Sequence, residues 1–156
     1  PEGSGFDLRA GEFFKQKLDE EVYIGVEKRS TPTFESIIKY NLDDKDNKEI
    51  IIKPGEYYAV KTIESLNLPK DISVIIRPRS TLQRGGVILV NAAVHPGYCG
   101  GLTMGVYNAG KNNCRIELGA RIAHILFFKT GENVSAYRGQ WQGGRVSTEG
   151  KSEVQV

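Results

Sequence analysis

Short runs rich in β-branched and aromatic residues recur along this chain at steady intervals, at 22–26, 37–40, 50–52, 57–60, 73–76, 87–90, 102–107, 115–118 and 121–128. Turn-forming groups punctuate them: Lys53-Pro54-Gly55, Leu68-Pro69, Gly85-Gly86, Pro96-Gly97 and Ala109-Gly110. Many short strands at such spacing pack as an all-β sandwich or barrel. No window of a dozen residues keeps a 3.6-residue apolar period, so any helix is short, and residues 80–83 predict a single turn. No internal repeat is present, and the charge-dense segment 43–49 reads as an exposed loop or hairpin tip.

A chain of 156 residues with 39% hydrophobic and 26% charged residues fits one soluble domain with its own core. Its apolar runs fall far short of the ~20 residues that span a bilayer, so no membrane segment is expected. The net charge is +2 and the basic residues are scattered except at Arg77, Arg79 and Arg84. That does not indicate an extended nucleic-acid stripe, which leaves polynucleotide binding a minority reading, but it does indicate a compact phosphate site. Cys99 and Cys114 show no metal spacing and would make a poor disulfide framework, which favours a reducing, cytoplasmic location. The chain begins at Pro1 without Met and already inside a motif-like stretch, so residues upstream are expected to be missing from this numbering and a targeting signal cannot be judged from it.

The densest chemistry lies between residues 77 and 108. Three arginines surround the hydroxyl pair Ser80 and Thr81, a set that grips a polyanion through charge-assisted hydrogen bonds. A helical turn at 80–83 would add exposed N–H groups to that grip. Downstream, Val94-His95-Pro96-Gly97-Tyr98 sets a titratable side chain and an aromatic ring on a Pro-Gly turn, a plausible base-and-sugar pocket. The plainer alternative is a solvated turn and a surface histidine. After residue 130 strand formers thin out and glycine, hydroxyl and amide groups dominate. The chain therefore divides into a β-barrel at 1–130 and a flexible C-terminal arm at 131–156. That arm is either a frayed terminus or a lid whose glycine N–H groups wrap phosphate.

Taken together, these segments resemble the deoxyuridine triphosphatase (dUTP diphosphatase) family and its sister, the dCTP deaminases. Gly5-Phe6-Asp7-Leu8-Arg9-Ala10 resembles the first family motif and Arg77-Pro78-Arg79-Ser80-Thr81-Leu82 the second. Residues 94–100 with Val106-Tyr107-Asn108-Ala109-Gly110 resemble the third, Gly119-Ala120-Arg121-Ile122-Ala123-His124 the fourth, and residues 143–150 the fifth. Five motifs in order cover nearly the whole chain. The resemblance implies a jelly-roll-like distorted barrel of the dUTPase type in a homotrimer, with sites at subunit boundaries. It also implies hydrolysis of dUTP to dUMP and pyrophosphate with Mg²⁺ on the triphosphate. Carried over, Arg79, Ser80, Thr81 and Arg84 would hold phosphates, and Gly143, Gly144, Ser147 and Thr148 would close over them. Asn91, Val94, Gly97, Tyr98 and Arg145 would hold the nucleoside, and Asp7 would orient magnesium-bound water.

The sequence departs from the family at informative places. Relatives place the water-activating aspartate where this chain has His95; a neutral imidazole can serve as a general base near neutrality. Deaminases place a glutamate in the following strand to move protons at the pyrimidine amino group, and this chain has Gly105 there. Arg145 replaces an aromatic ring that stacks on uracil, with Trp141 an alternative lid, and His124 replaces a glutamine. The segment Tyr137-Arg138-Gly139-Gln140 resembles the deaminase branch as much as the other. The expectation is thus a dUTP diphosphatase using His95 and Asp7. Two rivals stand beside it: a nucleotide-binding protein of the same fold with weak or no catalysis, and a dCTP deaminase disfavoured by Gly105.

Overall fold

The computed structural model describes Gly3 and residues 5–43, 48–131 and 134–154. In chain order its strands are β1 (Gly5–Gln16), β2 (Tyr23–Ile24), β3 (Lys28–Ser30), β4 (Phe34–Lys39), β5 (Glu49–Ile52), β6 (Tyr57–Asn67) and β7 (Ile72–Pro78). A short helix α1 (Ser80–Arg84) follows, then β8 (Val87–Val90), β9 (Cys99–Asn108), β10 (Cys114–Glu117), β11 (Arg121–Lys129) and β12 (Glu153–Val154). The all-β expectation holds. Of the charge-dense segment, residues 44–47 lie outside the described residues.

One antiparallel sheet runs in the order β7-β11-β1-β6-β9-β8, with β4 also paired to β1. A bridge between Val74 on β7 and Val94, beyond the end of β8, brings the two margins together, so the sheet is a nearly closed barrel. Leu8, Phe13, Val60, Val74, Val106, Ile122 and Ile125 fill it. Burying each such side chain contributes roughly 1.5–3 kcal/mol. Two small sheets flank the barrel, β10 with β5 and β12-β3-β2. Asn108, fully buried at the end of β9, donates to the carbonyls of Ile52 (2.8 Å) and Asn112 (2.9 Å) and accepts from the Gly110 N–H (3.0 Å), pinning one of them.

β1 is the longest strand and was absent from the strand runs read in the sequence. Its pairing shifts register between Leu8 and Arg9, between Ala10 and Glu12 and between Phe13 and Phe14, so burial loses its two-residue alternation. At the middle shift only glycine fits, because a Cβ on Gly11 would lie 2.8 Å from the Ile63 nitrogen and 2.9 Å from the Lys61 oxygen. α1 forms where the sequence placed it, after Pro78 and before Gly85-Gly86. No helix among the described residues is long and apolar enough to cross a membrane. Cys99 and Cys114 are free thiols.

Past β11 the chain turns back over the barrel. The Tyr137 N–H donates to the Pro96 carbonyl (2.7 Å), the Gly143 N–H to Cys99 (2.8 Å), and Lys61 Nζ to the Gly144 carbonyl (2.8 Å). Thr148, fully buried, exchanges bonds with Thr31: each residue's N–H donates to the other's Oγ1 at 2.9 Å, and the Thr148 hydroxyl donates to the Thr31 carbonyl at 3.1 Å. β12 then adds to β3.

Candidate functional site

A cavity of about 350 Å³ opens between β6, β9, the segment before the Pro96-Gly97 turn, and the returning tail. Its walls are mainly apolar and aromatic, with Tyr57, His95, Tyr98, Met104, Tyr137 and Trp141 prominent. Such a space suits a planar ring. Tyr98 is held firmly: its hydroxyl donates to the Gly101 carbonyl at 2.6 Å and its ring meets Tyr137 edge-on at 5.6 Å. Burial, reinforced by Tyr137 and Cys99, pushes the Tyr98 hydroxyl pKa up. The His95 ring lies parallel to Tyr137, 10° between planes and 6.2 Å between centroids.

Across the cavity β9 presents Gly105, and Tyr57 covers it. Ala59 is the direct partner of Gly105 on β6, so Tyr57 is a diagonal neighbour whose ring leans across. A Cβ on Gly105 would lie 2.6 Å from the Tyr57 hydroxyl oxygen and 2.7 Å from its Cε2. No aspartate or glutamate lines the cavity among the described residues.

Of the residues expected to hold a nucleoside, Val94, Tyr98 and Arg145 line this cavity, as does His95. Arg145 is clamped in bidentate fashion by Glu153, at 3.2 and 2.8 Å. Gly97 (φ +77°) sits just outside and its carbonyl accepts from Gln142 Nε2 at 3.0 Å. Asn91 lies elsewhere, in a second hollow with Arg77 and Gln83.

Asp7 belongs to a separate charged cluster. Its Oδ1 accepts from Arg79 (2.9 Å) and meets His124 Nδ1 at 2.8 Å, while Oδ2 accepts from Arg121 (3.1 Å). Its side chain is only 9% exposed. Burial, the largest single influence, works to raise the Asp7 pKa, but the His124 hydrogen bond and the Arg79 and Arg121 charges together hold it below the ordinary value. β1, β7 and β11 assemble this group: Asp7 is opposite His124 in the ladder, and His124 is opposite Arg77.

The remaining phosphate candidates are dispersed. Ser80, Thr81 and Arg84 are exposed on α1 and do not line the aromatic cavity. Gly143 and Gly144 adopt φ of +81° and +76° and bring the tail against β9, where a Cβ on Gly144 would lie 2.8 Å from the Gly101 nitrogen. Ser147 and Thr148 are buried, Thr148 through its bonds with Thr31 beside β3. Tyr57 and Met104 entered the cavity without a sequence signal of their own, whereas Tyr137 belongs to the tail segment 137–140 that resembles the deaminase branch. The cross-strand pairing of β6 with β9 would have been needed to find Tyr57.

The nearly closed antiparallel barrel, with a ring-sized cavity beside its Pro-Gly turn and an arginine-rich cluster at its margin, has the fold shared by dUTPases and dCTP deaminases. Within that class the profile described as dCTP deaminase-like matches residues 2–130, and the chain belongs to that family. A Pyrococcus furiosus protein named dCTP deaminase is 34% identical over 143 residues, covering 90% of this chain and 77% of that protein. A Thermococcus kodakarensis protein of the same name is 36% identical over 105 residues, 67% of this chain and 68% of the relative. A Dictyoglomus turgidum protein named dCTP deaminase, dUMP-forming, is 33% identical over 129 residues, 81% of this chain and 64% of its own length. Among solved structures the fold is shared with the Agrobacterium tumefaciens 2′-deoxycytidine 5′-triphosphate deaminase (TM-score 0.61, 18% identity), over 83% of this chain and 40% of that one. It is also shared with the EIAV dUTPase (TM-score 0.50, 17% identity, 81% of this chain and 91% of that one).

These relatives overturn the dUTP diphosphatase expectation. The motifs that suggested it are common to both branches, and the choice between branches had rested on Gly105 alone. Similarity along most of the chain decides the family, and Gly105 bears only on what this member can do. Hydrolysis of dUTP to dUMP and pyrophosphate by His95 and Asp7 is therefore withdrawn.

Proposed function

We propose that this protein binds a pyrimidine deoxynucleoside triphosphate, dCTP foremost, in the aromatic cavity, and that it lacks carboxylate-assisted deamination. One observation supports this above others: the cavity wall offers no carboxyl group, and the position from which the resemblance has one act is a glycine beneath Tyr57. Replacing the 4-amino group by water requires protons to be moved onto the ring and the departing ammonia, and a positioned acid–base group contributes ~10²–10⁴-fold to such steps. Tyr98, Tyr137, Trp141 and the hairpin backbone remain able to hold the ring by stacking and main-chain hydrogen bonds.

The triphosphate would reach arginines and hydroxyls that this chain does not turn toward its own cavity. Arg79, Ser80, Thr81 and Arg84 fit that role best when α1 of a second copy supplies them. Phe6, Ile88, Val90 and Phe127 stand exposed on the barrel as apolar surface for such a copy to cover. Mg²⁺ would arrive with the triphosphate rather than in a protein cage. Asp7 is already engaged by three cationic or donor groups, and no group of three or more acidic, His or Cys side chains gathers among the described residues.

A second reading is dCTP deamination itself, favoured by the relatives' names over 67–90% of this chain and by His95, an imidazole on the cavity wall. The chain's single tryptophan, Trp141, lines the cavity and reports occupancy by fluorescence. Titration with dCTP is expected to change its emission saturably while ammonia stays at background. Ammonia release with turnover would replace the first reading by the second, and absence of binding would sink both.

A further inference from the structure

We propose that Tyr57 is the residue that reads the amino- or oxo-bearing edge of the bound pyrimidine, and that it makes the cavity accept cytosine and uracil deoxynucleotides alike. This rests on the pyrimidine-nucleotide reading above. The geometry comes from the cross-strand pair: the Tyr57 hydroxyl oxygen is 2.6 Å from the point where a Cβ of residue 105 would start, so the phenol occupies the root of the missing side chain. It faces the cavity, and among the described residues no hydrogen bond to its hydroxyl is formed. A cavity-facing hydroxyl with no partner on the protein is available to a ligand. Burial raises the Tyr57 pKa, which keeps the phenol protonated.

The consequence follows from hydrogen-bond chemistry. An ionised carboxylate only accepts, so it favours a 4-amino group and repels a 4-oxo group. A phenol both donates and accepts: it accepts from the amino group of cytosine and donates to the oxo group of uracil. No other wall residue combines both capacities at the Gly105 position, since Ala59 and Met104, its neighbours in the lining, carry no hydroxyl.

The test compares binding of dCTP, dUTP and a deoxynucleoside triphosphate of pyrimidin-2-one, which bears hydrogen at position 4, to the parent and to Tyr57→Phe, read by Trp141 fluorescence or calorimetry. The substitution keeps the ring over Gly105, and a matching thermal melt verifies folding. The parent is expected to bind dCTP and dUTP within about threefold of each other. Loss of one neutral hydrogen bond should weaken both about fivefold in Tyr57→Phe and leave the pyrimidinone nucleotide unchanged. Unchanged affinities, or an equal loss for all three nucleotides, would mean that the ring only covers the glycine, and would overturn this inference while leaving nucleotide binding intact. Binding of dCTP with exclusion of dUTP by the parent would overturn it as well. Failure of all three to bind the parent would instead remove the functional reading beneath it.

Discussion

Gly105→Glu places a carboxyl group on the strand where deaminase relatives are expected to carry one, and Tyr57 decides what it costs. The new Cβ would meet the Tyr57 oxygen at 2.6 Å, Cε2 at 2.7 Å and Cζ at 2.9 Å, well inside the 3.4 Å at which ordinary van der Waals contact begins. A single rotation of the hydroxyl cannot relieve three ring contacts, so the whole ring must swing outward. Tyr57 is 37% exposed, which gives it somewhere to go at the loss of its packing over β9. Overpacking of this kind costs about 2 kcal/mol. In a chain of 156 residues that lowers the melting temperature by roughly 4–8 °C. Circular dichroism melts of Gly105→Glu, Tyr57→Ala and the double variant form a cycle. In the Tyr57→Ala background the glutamate should cost at least about 1 kcal/mol less, because the obstructing ring is gone. Ammonia release from dCTP is expected only in the double variant, where the carboxyl group can extend into the cavity. An equal cost in both backgrounds would refute the claim that the Tyr57 ring fills the space of residue 105.

Thr148→Val keeps the side-chain shape but removes both hydroxyl bonds to Thr31, leaving the Thr31 N–H without a partner while its carbonyl keeps the Gly150 N–H at 3.0 Å, at a cost of about 1–2 kcal/mol. Limited trypsin digestion should then cut faster at Arg138 and Arg145, and an unchanged cleavage rate would show that the tail is secured by other contacts. Asp7 has its pKa held below the ordinary value, so it stabilises the fold above about pH 4 and that contribution disappears as pH falls through its folded-state pKa. Urea unfolding between pH 3 and 7 should therefore show a steeper acid-side loss in the parent than in Asp7→Asn. Parallel acid limbs would refute that role.

Much of the site was legible residue by residue yet not as an arrangement. His95, Tyr98 and Val94 drew notice because a Pro-Gly turn between strands projects its neighbours, and all three line the cavity. Asp7, Arg79, Arg121 and His124 each fell inside a motif, but their convergence depends on ladder register between β1, β7 and β11, which no local pattern encodes. β1 escaped detection because its bulges break the very alternation by which strands are recognised. The tail's composition suggested a loose arm. Its hold on the barrel comes instead from glycine backbones pressed against β9 and from Thr148 buried against Thr31.

By itself the sequence determined the all-β class, the single helical turn and the hairpin with its histidine and tyrosine. These follow from turn chemistry and side-chain periodicity, which act over a few residues. It also showed that position 105 has no side chain. Only the tertiary structure decided what stands in that space, because a diagonal contact between β6 and β9 joins residues far apart in the chain, and the Tyr57 ring reaches Gly105 only once that pairing is made. Which groups face one cavity is likewise a property of the closed sheet: the same arginines and hydroxyls that cluster along residues 79–84 are carried by α1 away from the aromatic walls.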